Sequence, residues 1–446
     1  MAIRGLTVGS DGGLRLDGLP FRNIGVNWGG AIVRFYGQPS PSVCEYTTTT
    51  EQDVGLDYLA SLGVKVIRVK AFPFWPAQWT AGVLNGKAWN VATAGDREAH
   101  YAKIDAFLAK AAARGIGVVL NLFFRHATIA DLTGSTVRGW LSAGNVRTFA
   151  QTLTTELVTR YATEGAVYGW EWSNEVNHYN DYTGSGYPSV SVPYGTPASY
   201  SAANDGFRST ESTSELASTL AWWYGVVRGI DSQRIVMSGN GPCSYTRPGG
   251  GAGTSAPIID LHREVERDNP LNTSSIHFYG GIGYCSRNFR GFDALLTGAK
   301  HWARRAGKPF ILGEFGNQPR KVAAVSAGVI TLDASSDGVN NEIGDVVELV
   351  NAGAWSGRHT VQFIAADRRS LTVANSGVAA FSGVARMVDM TEDRITRMLD
   401  AVRASGTDAA FYWQYDSDPS GPVAESIDDL PWQAEAIKAA NAALAS

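Results

Sequence analysis

The chain has 446 residues, of which 44% are hydrophobic and 18% charged, and its formal net charge is −4. This is the composition of an ordinary globular protein, and no stretch approaches the roughly 18 apolar residues of a membrane-spanning helix. Lys and Arg form no clusters, so neither a membrane nor nucleic acid is an expected partner, and neutral substrates suit this balance best.

Strand-like segments recur along the chain, and a helical pattern follows most of them. Strands that alternate with helices form a parallel sheet, and eight repeats favour closure into an α/β fold of the (β/α)8 TIM barrel type. A hairpin at residues 14–21 is expected to plug the bottom of this barrel. The predicted strands are residues 22–28, 64–70, 117–124, 167–175, 234–238, 274–279, 309–315 and 408–414.

Two long connections interrupt the repeat. Residues 178–212 are rich in Tyr, Ser, Gly and Pro without periodicity, which predicts a binding or lid loop after strand 4. Residues 317–385 contain alternating apolar runs separated by turn-rich sequence, which predicts a small β-rich module inserted after strand 7. Residues 1–316 and 386–446 then form the barrel.

Three cysteines are too few for a disulfide scaffold and lack the spacing of a zinc site. Two readings stay open: free buried thiols, or one bridge between Cys243 and Cys285, which both fall in loops after consecutive predicted strands. Residues 1–10 lack the apolar core of a signal peptide. No compartment is assigned on this basis.

Two glutamates stand at predicted strand ends. Glu175 ends the segment Trp-Glu-Trp-Ser-Asn-Glu on strand 4, and Glu314 lies in Leu-Gly-Glu-Phe-Gly on strand 7. Active sites of these barrels lie at the C-terminal ends of the strands, and hydrolysis of a glycosidic bond needs two carboxyl groups. Glu171 faces the same side as Glu175 by strand alternation, but it is expected to lie deeper and to be paired inside the barrel. The sequence therefore predicts a glycosidase.

The chain resembles the retaining glycosidases of clan A, and most of all glycoside hydrolase family 5. The hairpin followed by Gly25-Val-Asn27 and the pair Asn174-Glu175 match family motifs, and Glu-Trp-Ser-Asn-Glu is similar to the Glu-Leu-Ala-Asn-Glu of the family's β-mannanases. The resemblance implies that Glu175 is the acid/base and Glu314 the nucleophile of a double displacement. Retention of configuration then places the two carboxyls about 5 to 5.5 Å apart.

The same resemblance implies roles for supporting residues. Arg68 would bind the nucleophile and keep it ionised, His277 and Tyr279 on strand 6 would contact the carboxyls or the substrate, and Trp413 would form a sugar platform. Asn174, Trp28 and His126 complete the expected substrate-binding set. The alternatives are a core ion pair for Arg68, a structural role for His277 and simple core packing for the tryptophans, including Trp75, Trp79, Trp140 and Trp172.

Two positions depart from the family pattern. Phe123 stands where many members have a histidine, with His126 three positions later, and Val176 replaces the usual proline after Asn-Glu. Neither departure affects the strand of Glu314.

The expected activity is hydrolysis of a β-linked poly- or oligosaccharide of the mannan or glucan type, without cofactor or metal. The alternatives are a β-1,4-glucanase, an exo-acting β-glycosidase, or a non-catalytic carbohydrate-binding or adhesin barrel. The module at residues 317–385 would extend the cleft, mediate self-association or attachment to an assembly, or be a structural decoration. An extracellular or surface location would fit the substrate class.

Overall fold

A computed structural model provides the fold. It describes residues 5–36, 43–73, 81–124, 129–130, 132–135, 140, 144–175, 180–181, 211–241, 244–246, 255–257, 269–278, 290–316, 320–333, 343–374, 377–388, 392–415 and 426–445. Cys243, Cys285 and nearly all of the predicted loop at 178–212 lie outside these ranges. Cys44 is described, and it is a buried free thiol.

Eight parallel strands form the central sheet, each close to its predicted bounds. They are β1 (Asn23–Asn27), β2 (Val66–Lys70), β3 (Gly117–Phe123), β4 (Val167–Ser173), β5 (Ile235–Met237), β6 (Ser274–His277), β7 (Phe310–Gly316) and β8 (Ala409–Trp413). Their order in the sheet is β5-β4-β3-β2-β1-β8-β7-β6. The predicted (β/α)8 barrel is therefore confirmed.

The two end strands, β5 and β6, meet largely through side chains. The Val236 backbone N–H donates to Asn272 Oδ1 at 2.8 Å, and Thr273 Oγ1 donates to the Val236 carbonyl at 2.7 Å. Beyond the strands, the His277 N–H donates to the Asn240 carbonyl at 2.8 Å. These bonds close the sheet where a regular ladder is lacking.

Helices cover the outside of the barrel. α1 begins with a capping box, in which Thr48 and Glu51 satisfy each other's backbone N–H groups. None of the helices described is both long and apolar enough to cross a membrane. Their bounds are α1 Thr49–Ser61, α2 Ala94–Ala113, α3 Asn145–Tyr161, α4 Thr213–Arg228, α5 Arg290–Arg305, α6 Glu392–Ala404 and α7 Pro431–Ala445.

Short antiparallel or parallel pairs fill several connections. They are Val33–Tyr36 with Val43–Tyr46, Ala81–Leu84 with Lys87–Asn90, Asn180–Asp181 with Glu211–Ser212, and Ser244–Thr246 with Ser255–Pro257.

The N-terminal segment plugs the bottom of the barrel, as expected. Its strands Leu6–Val8, Leu14–Leu16 and Leu19–Pro20 form a small sheet. Leu6 and Leu14 are buried in the same apolar cluster as inward-facing side chains of six barrel strands, including Phe411. The polar site is thereby confined to the opposite end of the barrel.

The segment after β7 is a closed six-stranded antiparallel barrel, called the module below. Its interior is apolar, with Trp355 from the 3₁₀ helix Gly353–Trp355 packed against it. The predicted end at residue 385 falls inside the last strand, so the module extends to Val388. Its strands are Arg320–Ser326, Val329–Leu332, Val346–Val350, Gly357–Ile364, Ser370–Val373 and Phe381–Val388.

The module packs against the barrel at the connection between β8 and α7. Val388 and Leu430 are buried together, with Val350 and Trp432 packed against them. Ion pairs from α6 add to this contact, because Arg394 binds Asp345 and Glu392 binds Arg358. The module is thus held beside the strands at the β7 and β8 side of the rim.

Gly239, just after β5, has a left-handed backbone with φ of 73°. A Cβ atom there would lie 1.9 Å from the Ser173 carbonyl oxygen at the end of β4. The Gly239 carbonyl also accepts the Glu175 N–H at 2.6 Å. Only glycine allows β4 and β5 to approach this closely.

We therefore expect Gly239→Ala to destabilise the protein more than Gly307→Ala, which has a similar φ of 69° but nothing within 4 Å of the added atom. Both changes introduce left-handed strain, but only Gly239→Ala adds overpacking, with a further cost of about 1 to 3 kcal/mol. Urea unfolding of both variants measures the difference. Equal losses of unfolding free energy would contradict this account of Gly239.

His100 on α2 is a fully buried histidine. Its Nε2 donates to the Ala71 carbonyl at 2.7 Å, and its Nδ1 lies 3.3 Å from the Tyr46 hydroxyl. The ring stacks on Tyr46 and Phe72. Burial lowers the pKa of His100 to about 4, so the ring is neutral in the folded chain.

This histidine predicts an acid-dependent loss of stability. In the unfolded chain its pKa returns to about 6.5, so only the unfolded chain gains a proton between about pH 6.5 and 4. The stability contribution is complete above that range and falls by up to roughly 3 kcal/mol as the pH drops through it. We expect His100→Gln to flatten the decline in urea-unfolding free energy between pH 7 and 4. Parallel curves for the two proteins would refute the assignment.

Candidate active site

Three side chains converge at the C-terminal end of the barrel. One oxygen of Glu175, one oxygen of Glu314 and one ring nitrogen of His277 all lie within 4.8 Å of one another. The Glu175 side chain is 14% exposed, whereas those of Glu314 and His277 are 4% and 0% exposed. A cleft ligand can therefore reach Glu175 most easily.

A local irregularity turns Glu314 toward the interior. The pairing of β7 with β6 and with β8 shifts register around Gly313 and Glu314, as at a β-bulge. Gly313 permits this, because a Cβ atom there would lie 2.7 Å from the His277 ring. The Phe278 N–H donates to the Glu314 carbonyl at 2.7 Å and fixes the strand end.

Glu175 also has an unusual backbone. Its φ is 52°, in the left-handed region that few non-glycine residues occupy. The short hydrogen bond from its N–H to Gly239 holds this conformation. Such strain is maintained only where surrounding structure enforces it, and functional sites are common examples.

Arg68 on β2 is the centre of the polar network. Its Nη1 donates to Glu314 Oε1 at 2.6 Å and to Asn27 Oδ1 at 2.9 Å. Nη2 donates to Asn174 Oδ1 at 2.8 Å, and Nε donates to Glu171 Oε2. Arg68 is only 3% exposed, so this one guanidinium orients both glutamate-bearing strands from below.

Burial and neighbouring charges set the ionisation of the site. Burial alone would lower the pKa of Arg68, but Glu171 and Glu314 outweigh it and raise that pKa, so the guanidinium stays charged. Burial raises the pKa of Glu175 above its usual range, and the Glu314 charge adds to this against the hydrogen bond from His277. Glu175 therefore holds a proton at a pH where an ordinary glutamate is ionised.

His277 lies between the two carboxyls. Its Nδ1 is 3.3 Å from Glu175 Oε1 and 3.4 Å from Glu314 Oε1. Both contacts are with carboxyl oxygens, so the ring proton belongs on Nδ1. His277 can thus stabilise negative charge on either glutamate.

Two carboxylates and an imidazole could also ligate a metal ion. Here, however, the Arg68 guanidinium already binds Glu314 Oε1 directly and supplies the positive charge. We interpret the cluster as a paired-carboxyl centre, and independence from a metal remains a prediction. Among the described residues, no other group of His, Cys, Asp and Glu has this geometry.

The remaining expected residues are partly exposed, fully buried, or outside the described part of the chain. Trp413, at the end of β8, is partly exposed, and Asn174 is partly exposed beside Glu175. Both are therefore accessible from outside the barrel. Tyr279, His126, Trp75 and Trp79 lie outside the described residues, so their roles stay predictions.

The substrate-binding role expected for Trp28 is wrong. Trp28 is 0% exposed and packs edge-on against Phe107 of α2 and Tyr415. The physical reason is strand alternation: Asn27 points into the barrel, so the next side chain points toward the helices. Trp140 and Trp172 are likewise fully buried and pack on each other.

Two asparagines belong to the site but were not among the expected residues. Asn27 accepts from Arg68 and donates to the carbonyls of Gly313 and Phe411, which ties β1 to β7 and β8. Asn121 on β3 donates to Glu171 Oε2 at 2.7 Å and to the Ser173 carbonyl at 2.8 Å. A polar residue inside an otherwise apolar strand was the available signal for Asn121.

Solved structures with the same overall fold include several named glycosidases. The endo-1,4-β-mannanase from Rhizomucor miehei is 12% identical, with a TM-score of 0.55 and coverage of 99% of each chain. The endo-β-1,4-mannanase from Thermotoga petrophila is 14% identical, with a TM-score of 0.55 and coverage of 96% of this chain and 77% of that one. A family 5 mannosidase from Rhizomucor miehei is 10% identical, with a TM-score of 0.56 and coverage of 99% and 98%. At these identities the likeness establishes the fold.

Curated proteins give no match to this sequence. The family model described as cellulase, glycosyl hydrolase family 5, matches residues 27–339, which is more than half of the chain. Its match runs from the last residue of β1 through β7 and therefore includes both strands that carry the paired carboxyls. The chain belongs to glycoside hydrolase family 5 and is a retaining glycoside hydrolase.

Proposed function

We propose that the protein hydrolyses β-linked mannan- or glucan-type poly- or oligosaccharides by double displacement, with Glu175 as acid/base and Glu314 as nucleophile. The observation that carries this proposal is the pair of carboxyls within 4.8 Å, one bound to a guanidinium and the other with a raised pKa. Retaining enzymes hold their carboxyl groups about 5 to 5.5 Å apart and inverting enzymes about 6.5 to 9.5 Å apart, so two carboxyls with oxygens this close support the retaining case.

In the first step, the protonated Glu175 carboxyl gives its proton to the leaving glycosidic oxygen. Glu314 attacks the anomeric carbon from the opposite face, and the carbon–oxygen bond breaks. The products are the leaving alcohol and a covalent glycosyl-Glu314 ester.

In the second step, the ionised Glu175 takes a proton from water, whose oxygen attacks the anomeric carbon. The ester bond to Glu314 breaks, and the sugar leaves with its original configuration. The two inversions give net retention, and the proton taken from water restores the one that Glu175 gave in the first step.

The surroundings of the carboxyls support this division of roles. Arg68 keeps a charge on Glu314 Oε1 favourable, as a nucleophile requires. Glu175 is partly exposed, and burial favours its protonated form, as an acid requires. When Glu175 ionises in the first step, His277 Nδ1 is placed to stabilise the new charge.

Substrate contact would come from the partly exposed residues of the rim. Trp413 offers an indole face to the apolar C–H side of a sugar ring. Asn174 Oδ1 accepts a hydrogen bond from Arg68, so the amide N–H groups of Asn174 would donate to a sugar hydroxyl. Tyr279 and His126 are proposed to complete this set.

The choice of mannan as first substrate rests on the similarity of the Glu171–Glu175 segment to β-mannanase motifs. A β-1,4-glucanase and an exo-acting β-glycosidase are the alternatives within the family. They differ in the products released, because an endo enzyme shortens a polymer rapidly whereas an exo enzyme releases small sugars from one end.

We expect release of reducing ends from β-mannan, with weaker or no release from β-1,4-glucan and xylan. Loss of one catalytic carboxyl removes a proton donor or the covalent step, so Glu175→Gln and Glu314→Gln should each reduce kcat by at least about 100-fold. Reducing-sugar assays and product sizing on the three polymers measure this. Full activity of Glu314→Gln would overturn the mechanism, and preference for glucan would replace mannan as substrate.

The two roles are separated by azide as a replacement nucleophile. In Glu175→Ala, azide should attack the glycosyl-enzyme and give a β-glycosyl azide. In Glu314→Ala, azide should enter from the vacated nucleophile side and give the α-product. The opposite pairing of variants and products would reverse the assignment.

We further propose that the module serves the substrate cleft as a fixed wall, and not self-association. It begins just after the β7 strand of Glu314 and is anchored by Val388, Leu430 and the Arg394–Asp345 ion pair beside β8. This attachment supports a fixed position near Trp413.

Replacing residues 317–388 by a short Gly-Ser loop should change the ratio of rates on polymer and on a short oligosaccharide, because a cleft wall contacts only longer chains. The same variant carries Leu430→Ser, because removal of the module would otherwise expose this apolar side chain. An unchanged ratio would contradict the cleft role. A dimer in light scattering that becomes a monomer on replacement would favour self-association.

A further inference from the structure

A third carboxylate lies directly beneath the proposed catalytic pair. Glu171 on β4 is 0% exposed, and its Oε2 accepts hydrogen bonds from Arg68 Nε and from Asn121 Nδ2. The expectation that Glu171 is paired inside the barrel is therefore confirmed. A buried carboxylate that only filled space would cost free energy, so this pairing must offset its desolvation.

One guanidinium serves two carboxylates. Arg68 binds Glu171 through Nε and Glu314 through Nη1, so its single positive charge is shared between them. β3 contributes the neutral Asn121 and β5 contributes Gly239, whose position lies close to Glu171 Oε1. The charged or titratable groups of this network on the described strands are Arg68, which binds Glu171 directly, Glu314, which shares Arg68, and His277 and Glu175, which lie next to Glu314.

We propose that Glu171 is a positioning residue that shares the Arg68 guanidinium with Glu314 and thereby keeps the nucleophile both oriented and basic. The inference rests on the proposed role of Glu314.

The geometry gives Glu171 two effects. By holding Nε, it fixes the rotation of the guanidinium plane, so that Nη1 faces Glu314 and Nη2 faces Asn174. By its charge, it reduces the net positive field at Glu314. An arginine paired with Glu314 alone would stabilise the carboxylate more strongly, and a more stable carboxylate is a weaker nucleophile.

The test uses two variants of the whole chain. Glu171→Gln keeps the length of the side chain but removes its negative charge. The positive charge of Arg68 is then less neutralised, and it lowers the pKa values of Glu314 and Glu175. We expect both limbs of the pH profile of kcat/KM to move to lower pH by about one unit. Glu171→Asp keeps the charge but retracts it from Nε, and should give a smaller shift in the same direction.

Glu156→Gln is the matched control, because Glu156 also pairs with an arginine, Arg97, but lies on α3 outside the barrel. Its pH limbs should coincide with those of the wild type. The pH values of the two limbs do not depend on what fraction of a variant is folded. If Glu171→Gln yields no folded protein, Glu171→Asp provides the test.

Limbs that stay at the wild-type pH in the folded Glu171 variants would overturn the proposal and leave Glu171 a purely structural residue. A wild type without activity on any β-glycan would instead refute the proposed function. The two failures are therefore distinguishable.

Discussion

The buried guanidinium of Arg68 is the interaction on which the rest of the site depends. An arginine taken out of water is tolerated only when charged and polar partners satisfy it. Here those partners come from β1, β4 and β7, through Asn27, Glu171, Asn174 and Glu314. Any shift of one of these strands would break a bond to the same cation. The relative placement of the two proposed catalytic carboxyls is thus set by the barrel as a whole.

The site lies where regular strand geometry is interrupted. The register shift at Gly313 turns Glu314 inward, and the left-handed backbone at Glu175 does the same for the opposite carboxyl. Gly239 provides the space for that second turn. Below this level, the barrel is filled by an apolar layer that Leu6, Leu14 and other side chains of the N-terminal plug close. An apolar core at one end thus supports a polar site of irregular geometry at the other.

The sequence predicted the barrel well, because alternating strands and helices repeat eight times and most of the strands are short runs rich in apolar residues. It also predicted which side Glu171 and Glu175 share. The expectation for Trp28 relied on its position at the end of a strand and neglected the alternation of side chains, which turns Trp28 toward the helices. The sequence marks Asn121 as a polar residue in an apolar strand, but its partners, like the bulge at Gly313, depend on contacts between segments far apart in the chain, which a single sequence does not display.

The sequence likewise indicates some strands of the module more clearly than others. Its inner strands are the alternating apolar runs that indicated a β-rich module, whereas its first and last strands, Arg320–Ser326 and Phe381–Val388, carry charged residues or glycine and give a weaker signal. These two strands pair with each other, with Arg320 opposite Met387. The chain therefore enters and leaves the module on two neighbouring strands. The two ends of the insertion therefore lie side by side, as the ends of a short hairpin do. The entropy cost of closing a long loop between β7 and α6 is offset by the folding of the module itself. A chain built this way can change the inserted segment without changing the spacing of the barrel strands that flank it.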